Sequence, residues 1–305
     1  MMKRYLLFCV LPFWVLCVAA QSLFVGSYNI RYHNAEDDKK GNVWTKRCQV
    51  ICDQINFEDP DIFGAQEVLY PQLGDLLRGL DNYAYIGVGR DDGKQAGEYA
   101  AIFYKRDRMK LLREGHFWLN ETPGKPVLGW DAACVRICTW GEFEQVATGF
   151  RLYYFNLHMD HVGVTARREA AKLVVSRIKD LAKGGPVVLT GDFNVDQNDE
   201  IYGIFAQSGI LKDSYDCARI RFAENGTFND FDPEAVTVSR IDHVFVSPAF
   251  AVDRYGVLTN GYWTLKPGME AHKGAAAPHE IDLVKEIRRV PSDHYPVLVK
   301  VHYAK

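Results

Sequence analysis

An apolar run, VVLT (187–190), opens directly onto GDFN (191–194), so Asp192 and Asn194 stand two positions apart at its exit with side chains on one face. A carboxylate beside an amide can position a water and hold an oxyanion or a metal ion. The same residue types also make ordinary turns, so the tetrapeptide alone is open to both readings. Glu67 closes the run IFGAQE (62–67) in the same way, either as a ligand or as a solvated strand end. Asp293 and His294 adjoin in SDHYPV (292–297), placing a hard oxygen ligand next to a titratable base. Together these strings supply oxygen ligands for a hard cation and a proton-transfer group, the set that metal-assisted phosphoester hydrolysis needs.

The elements that must position them can be read from the flanking pattern. Leu23, Val25 and SYNI (27–30) read as a strand, as do IFGAQE, YAYIGVG (83–89), EYAAIFYK (98–105), CVRICTW (134–140), FRLYYFNLH (150–158), PVVLTGDF (186–193), RIDHVFVS (240–247) and YPVLVKVHY (295–303). Trp44, Cys48, Ile51 and Ile55 repeat at helical spacing until Asp59 and Pro60 stop the helix. Ala171, Val174, Ile178 and Leu181 mark a helix starting near Thr165, and a further helix is expected over 199–208. Hairpin-linked strands mixed with βα units predict mixed sheets covered by helices, an α/β sandwich. No linker, charge block or repeat divides the chain, so 21–305 reads as one catalytic domain. Asn29, Glu67, His158, Asp192, Asn194, Asp242, Asp293 and His294 then all fall at strand ends, where layered α/β proteins place their chemistry.

The strings SYNIR (27–31), QEV (66–68), GEYAAIFY (97–104), NLHMDH (156–161), GDFN, RIDHVFV (240–246) and SDHYPV occur in an order that resembles the endonuclease/exonuclease/phosphatase superfamily. That group includes pancreatic-type deoxyribonuclease, abasic-site endonucleases, deadenylases, inositol-polyphosphate phosphatases and neutral sphingomyelinases. The resemblance spans residues 22–303 and implies a four-layer α/β sandwich, with two mixed, mainly antiparallel β-sheets packed face to face and helices outside. It also implies that Asn29 and Glu67 hold a divalent ion, Mg²⁺ or Mn²⁺, with Asp293 as a ligand or an outer partner. Asp192 would orient or activate the attacking water, Asn194 would hold a phosphate oxygen, and Asp242 would orient His294 at the phosphoryl centre. GEYAAIFY and NLH resemble the secreted deoxyribonucleases, in which Glu98 would orient His158 as a second acid–base pair.

Guanidinium groups bind phosphate bidentately, which makes Arg31, Arg90, Arg136 and Arg167 candidates for the substrate phosphate. Arg31 sits two residues beyond Asn29 and so on the same strand face; Arg167 is either a phosphate ligand or part of a solvated helix face. His161 either lines the cleft or lies on the surface. Trp44, Trp118, Trp130 and Trp140 read mainly as core, with stacking on a base or sugar as the other use.

Composition narrows the class. With 48% apolar and 25% charged residues over 305 positions, disorder, collagen-like repeats and a polytopic membrane protein are excluded. Lys3 and Arg4, the apolar run 5–16 and Val18-Ala19-Ala20 read as a signal peptide over 1–20, hence export to the periplasm or the exterior with no stable membrane span after cleavage. Removing that segment takes the formal charge from −3 to −5. This weighs against a long polyanion, because nuclease affinity leans on several phosphate contacts. The expected activity is Mg²⁺-dependent hydrolysis of a small, lipid-, sugar- or nucleotide-linked phosphoester. A secreted nuclease for DNA or RNA is the alternative, and a non-catalytic binding module a more distant one. No string points to a protein partner. Cys48, Cys52, Cys134, Cys138 and Cys217 show no regular disulfide or zinc spacing; Cys134 and Cys138 are expected on one strand face, and one disulfide remains open. The segment 264–289 is either a loop over the cleft or a surface excursion.

Overall fold

A computed structural model describes residues 22–303, apart from 266, 267, 269–275, 277, 282 and 285. The expected signal peptide lies outside the described residues, and so does much of the 264–289 segment.

One sheet has seven strands in the order β10 (Ile220–Phe222), β12 (Phe250–Val257), β15 (Val297–Tyr303), β1 (Ser22–Asn29), β2 (Ile62–Val68), β4 (Tyr99–Lys105) and β3 (Tyr83–Ile86). The other has six, in the order β5 (Met109–Trp118), β6 (Ile137–Gln145), β7 (Arg151–His158), β8 (Val187–Asp192), β11 (Asp242–Val246) and β9 (Lys212–Asp213). Neighbouring strands run antiparallel except β1–β2, β7–β8 and β10–β12. A separate ribbon pairs β13 (Tyr262–Thr264) with β14 (Ile287–Arg289).

Side-chain alternation sorts residues between layers. On β1, Leu23 and Val25 enter the core between the sheets, together with Ile62, Ile102, Leu152, Tyr154, Val188 and Val244. Tyr28 and Phe63 point the other way, under α2 (Trp44–Glu58) and α3 (Tyr70–Gly79), where they meet Trp44, Ile51, Ile55, Leu73 and Leu76. On the second sheet Phe155, Leu157, Leu189 and Phe245 face α4 (Val164–Ala182) and α5 (Glu200–Ala206) through Val174, Ile178, Ile201 and Phe205. Helices, sheet, sheet and helices thus form the four-layer sandwich. The short α1 (Ala35–Lys39) and α6 (Ser214–Cys217) complete the helices of the described residues.

Along the inward faces the same period of two carries the sequence from apolar to polar toward one end of the sandwich. The series Val25, Ser27, Asn29 on β1 is matched by Ile62, Gly64, Gln66 on β2, by Leu152, Tyr154, Asn156, His158 on β7, and by Val188, Thr190, Asp192 on β8. β11 runs antiparallel to β8, so its first residue, Asp242, lies opposite Asp192. The cleft sits at this polar end.

Several expectations for the elements change. CVRICTW is a strand only from Ile137, so Cys134 and Cys138 do not share a strand face; backbone bonds from Ala133 and Cys134 to Asp160 hold the preceding residues as a loop. β5, β12 and α3 were not anticipated. In β5 the apolar residues do not alternate regularly, since the register shifts between Leu111 and Arg113. All five described cysteines are free, with Cys48, Cys52 and Cys138 buried. Of the four tryptophans singled out, Trp44 and Trp118 are buried, Trp130 and Trp140 pack against the core under α4, and none of these four lines the cleft.

Candidate active site

The cleft has a volume of about 570 Å³ and is lined by Arg31, Glu67, Arg90, Glu98, Arg136, His158, His161, Asp192, Asn194, Asp293 and His294, with Tyr32, Cys134, Phe228, Asp230 and Ile241. Its floor is a hydrogen-bonded polar layer. The Gln66 side-chain amide donates to Ser27 Oγ at 3.1 Å and to Asn156 Oδ1 at 2.7 Å, and Thr190 Oγ1 donates to the same oxygen at 3.1 Å. Asn156 Nδ2 reaches across to the carbonyls of Ala65 and Ala101, tying the two sheets together. These residues were not singled out from the sequence, although Gln66 and Asn156 lie inside the strings QEV and NLHMDH. Only Gln66 Oε1 in this layer finds no partner among the described residues, and the remaining bonds fix the geometry of the groups above it.

Asp192 stands at the centre. Its Oδ2 accepts from Asn29 Nδ2 at 3.0 Å and lies 3.4 Å from His158 Nε2 and 3.7 Å from His294 Nε2, while Oδ1 accepts from the Asn194 backbone N–H at 3.0 Å. Burial pushes its carboxyl up to about 7, with the His294 imidazolium pulling down and Asp242 adding to the rise. His294 Nδ1 is 2.8 Å from Asp242 Oδ2. Burial works against the imidazolium, but the Asp242 and Asp192 carboxylates outweigh it and hold His294 well above its ordinary range. His158 goes the opposite way: burial, then the Arg136 and Arg90 guanidiniums, hold it well below that range and keep it neutral. One imidazolium and one imidazole therefore face the same carboxylate.

Strict alternation would send Glu67 to the helix side, because Gln66 points inward. Instead the β2–β4 register shifts between Ala65 and Val68 and Glu67 takes a left-handed φ of 60°, which turns its carboxylate into the cleft. There its Oε1 accepts from Asn29 Nδ2 at 3.0 Å and its Oε2 from the Tyr32 backbone N–H at 3.2 Å. Asn29 presents its NH₂ to Glu67 and Asp192 while its Oδ1 accepts from Arg31 N at 3.0 Å, so in this arrangement it bridges the two carboxylates. Arg31 does not share the strand face of Asn29. β1 has ended, φ is 58°, and the guanidinium reaches back to Asp37 at 2.9 Å and to Asp293 at 3.3 Å. Asn194 is the third left-handed residue at the cleft, φ 51°, with its Nδ2 donating to the Met159 carbonyl at 2.9 Å. Non-glycine residues in this region are strained and collect at functional sites.

Glu98 does not make the expected bond to His158. Its Oε2 pairs with Arg90 Nη1 at 2.6 Å and stays 3.8 Å from His158 Nδ1, which finds no hydrogen-bond partner among the described residues. A guanidinium is the stronger partner, because its charge-assisted bond outweighs one from a neutral imidazole. Arg136, also buried, reaches His161 Nδ1 at 2.9 Å and Asp160 at 3.4 Å. Asp160, missed in the sequence, accepts from the backbone N–H groups of Ala133, Cys134, Val162 and Gly163 and so shapes this wall of the cleft. Arg167 lies outside the cleft, its Nη1 donating to the Asp160 carbonyl at 3.0 Å; the first turn of α4 points it at the loop rather than at the reacting groups.

The donor set suits a hard cation. Glu67, His158 and Asp192 offer ligand atoms within 4.8 Å of one another. Asp293 lies beside Glu67, its carboxyl raised by burial and by that neighbour despite the pull of His294 and Arg31. Carboxylates crowded in this way call for positive charge, and oxygen donors favour an ion such as Mg²⁺.

Comparison with known proteins agrees with this geometry. Residues 26–294 match the Endonuclease/Exonuclease/phosphatase family. A mannosyl-6-phosphatase from Bacteroides thetaiotaomicron VPI-5482 is 48% identical, covers 92% of this chain and 99% of its own, and superposes with a TM-score of 0.85. An endonuclease/exonuclease/phosphatase family protein from the same species is 47% identical over 93% of this chain and 98% of its own, with a TM-score of 0.87. A third, from Bacteroides vulgatus, is 36% identical over 92% and 99%, with a TM-score of 0.79. The chain belongs to the endonuclease/exonuclease/phosphatase family and is a metal-dependent phosphoester hydrolase.

Proposed function

We propose that the protein is an exported Mg²⁺-dependent phosphomonoesterase that removes phosphate from phosphorylated sugars, a mannose 6-phosphate ester being the first substrate to test. The observation that carries this reading is the 48% identity, over 92% of the chain, with a mannosyl-6-phosphatase. The charge of the cleft supports it. Arg31 and Arg90 are each paired with carboxylates of the chain, so no line of surplus cations meets the successive phosphates of a nucleic acid.

Glu67, Asp293 and Asp192 would hold the cation. When bound, it supplies positive charge against the phosphate oxygens and helps fix the ester for in-line attack. Asp192 takes the proton of the attacking water as that oxygen bonds to phosphorus. The ester P–O bond breaks on the opposite side, and the His294 imidazolium gives its proton to the departing sugar oxygen. Asp192 and His294 lie 3.7 Å apart, so the proton gained by one returns to the other and the pair resets. Asp242 keeps His294 charged until that transfer. His158, neutral, orders the Asp192 carboxylate at 3.4 Å, and Arg136 offers its guanidinium to the phosphate.

A panel of mannose 6-phosphate, an aryl phosphodiester, DNA and RNA tests the reading. Phosphate release from the sugar ester is expected, and cleavage of the diester or a nucleic acid without it would overturn the proposal. Export is tested by N-terminal sequencing from the native host, where a mature start near Gln21 is expected and an intact Met1 in a cytosolic fraction would contradict it.

A further inference from the structure

The mouth of the cleft is shaped by a loop, residues 226–232, that carries no regular period and contributes none of the reacting groups. It is fastened on two sides. Thr227 Oγ1 accepts the backbone N–H groups of Ile241 and Asp242 at 2.9 and 3.0 Å. Its carbonyl accepts from Tyr295 N at 2.7 Å, and Asn229 N donates to the Asp293 carbonyl at 2.7 Å. The loop is therefore referenced to Asp242, Asp293 and His294 at once, and its side chains keep a fixed distance from the phosphoryl centre.

Two of those side chains enter the cleft. The Phe228 ring stands edge-on to the His294 imidazole, with centroids 5.1 Å apart at 73°, yet remains 40% exposed. Asp230 is exposed, lines the cleft, and makes no ion pair or side-chain hydrogen bond among the described residues. Its backbone is left-handed, φ 52°, as is that of Phe231 at 61°, a conformation braced by Asn229 Oδ1 accepting from Phe231 N at 2.9 Å. Strained backbone held by such bonds indicates that the direction of the Asp230 side chain is specified rather than incidental. A carboxylate is a poor neighbour for a second phosphate, but its two oxygens accept hydrogen bonds from hydroxyl groups. An exposed aromatic face beside it suits the C–H face of a sugar ring.

Building on the sugar-phosphatase reading, we infer that Phe228 and Asp230 form the subsite for the alcohol part of the ester and select a neutral polyol carrying a single phosphate. The ring packs on the sugar while the carboxylate accepts from its hydroxyls, so the ester oxygen is delivered next to His294. Sites built to bond a hydroxyl discriminate strongly against analogues that lack it.

The test compares kcat/KM for mannose 6-phosphate and for p-nitrophenyl phosphate, which has no hydroxyls, in the wild type, Asp230→Gly, Asp230→Asn and Phe228→Leu. Glycine and asparagine both tolerate the left-handed backbone, and leucine keeps apolar bulk without the ring. Each variant should lower the sugar-to-aryl ratio, Asp230→Gly by about tenfold or more, the scale of a lost hydrogen bond to a charged group. An unchanged ratio in all three, with the wild type active on the sugar ester, would overturn the subsite alone. Wild-type turnover of the aryl ester with none of the sugar ester would overturn the sugar-phosphatase reading and the subsite with it.

Discussion

Asp242→Asn is the sharpest probe of the proton traffic. The substitution keeps the volume of the side chain and removes only its charge. Asp242 is fully buried, and its Oδ2 lies 2.8 Å from His294 Nδ1. Its Oδ1 finds no partner among the described residues, and Thr227 holds only its backbone, so the carboxylate has little to do other than meet the imidazolium. Two unit charges about 4 Å apart interact by about 4 kcal/mol at an effective dielectric of about 20, and a charge-assisted bond exceeds a neutral one by about 1 kcal/mol. Asparagine retains a neutral acceptor and Asp192 still faces the ring, so a loss of about 3 to 4 kcal/mol in transition-state stabilisation is expected. That corresponds to a fall in kcat of about 10² to 10³. KM should change little, and thermal unfolding should shift by far less than a collapse of the fold would require. Steady-state kinetics and melting curves on the purified variant decide the matter. Near-wild-type kcat in a folded Asp242→Asn would refute the claim that this carboxylate keeps His294 charged for catalysis.

Other outcomes follow from the same geometry. A Cβ at Gly64 would collide with Asn156 Oδ1 and Thr190 Oγ1, so Gly64→Ala should cost about 1 to 3 kcal/mol in urea unfolding and lower kcat by shifting the floor beneath Asp192. His158→Ala and His294→Ala should each reduce kcat by about 10² to 10⁴, while the double variant should lose much less than the product of the two; strictly multiplicative losses would show that the imidazoles act independently. Burial opposes ionisation of Asp160, yet four backbone N–H groups hold its carboxyl down to about 2. Its stabilising contribution is therefore complete above the ordinary carboxylate value of about 4 and is lost as pH falls through about 2. The melting-temperature gap between wild type and Asp160→Asn should be widest near neutrality and close on acidification; a gap that is constant with pH would contradict this.

Much of the site was legible because strand alternation is a strong constraint. VVLT leading into GDFN places Asp192 and Thr190 on the inward face with no other information, and RIDHVFV places Asp242 opposite through an antiparallel register. Legibility ended where backbone left the regular wells. Alternation predicted the strand face of Asn29 for Arg31 and left Glu67 open between a ligand and a solvated strand end, whereas left-handed turns at both residues decide where they point. The pairing of Glu98 with Arg90 rather than His158 depends on how the 87–98 loop folds back on itself, Arg90 N donating to the Glu98 carbonyl at 3.1 Å, which spacing does not encode. The 226–232 loop has no period to read, and its role became visible only through its bonds to β11 and to residues 293–295.

The central claim, that crowded carboxylates at one end of the sandwich hold a divalent ion for phosphate hydrolysis, is tested most directly by phosphate release from mannose 6-phosphate across a Mg²⁺ titration after chelation. The wild type should lose activity with chelator and recover it with Mg²⁺, and a folded Glu67→Gln should need far more Mg²⁺ and remain slower at saturation. Full activity in the presence of chelator, or a Glu67→Gln titration that overlays the wild type, would contradict the account.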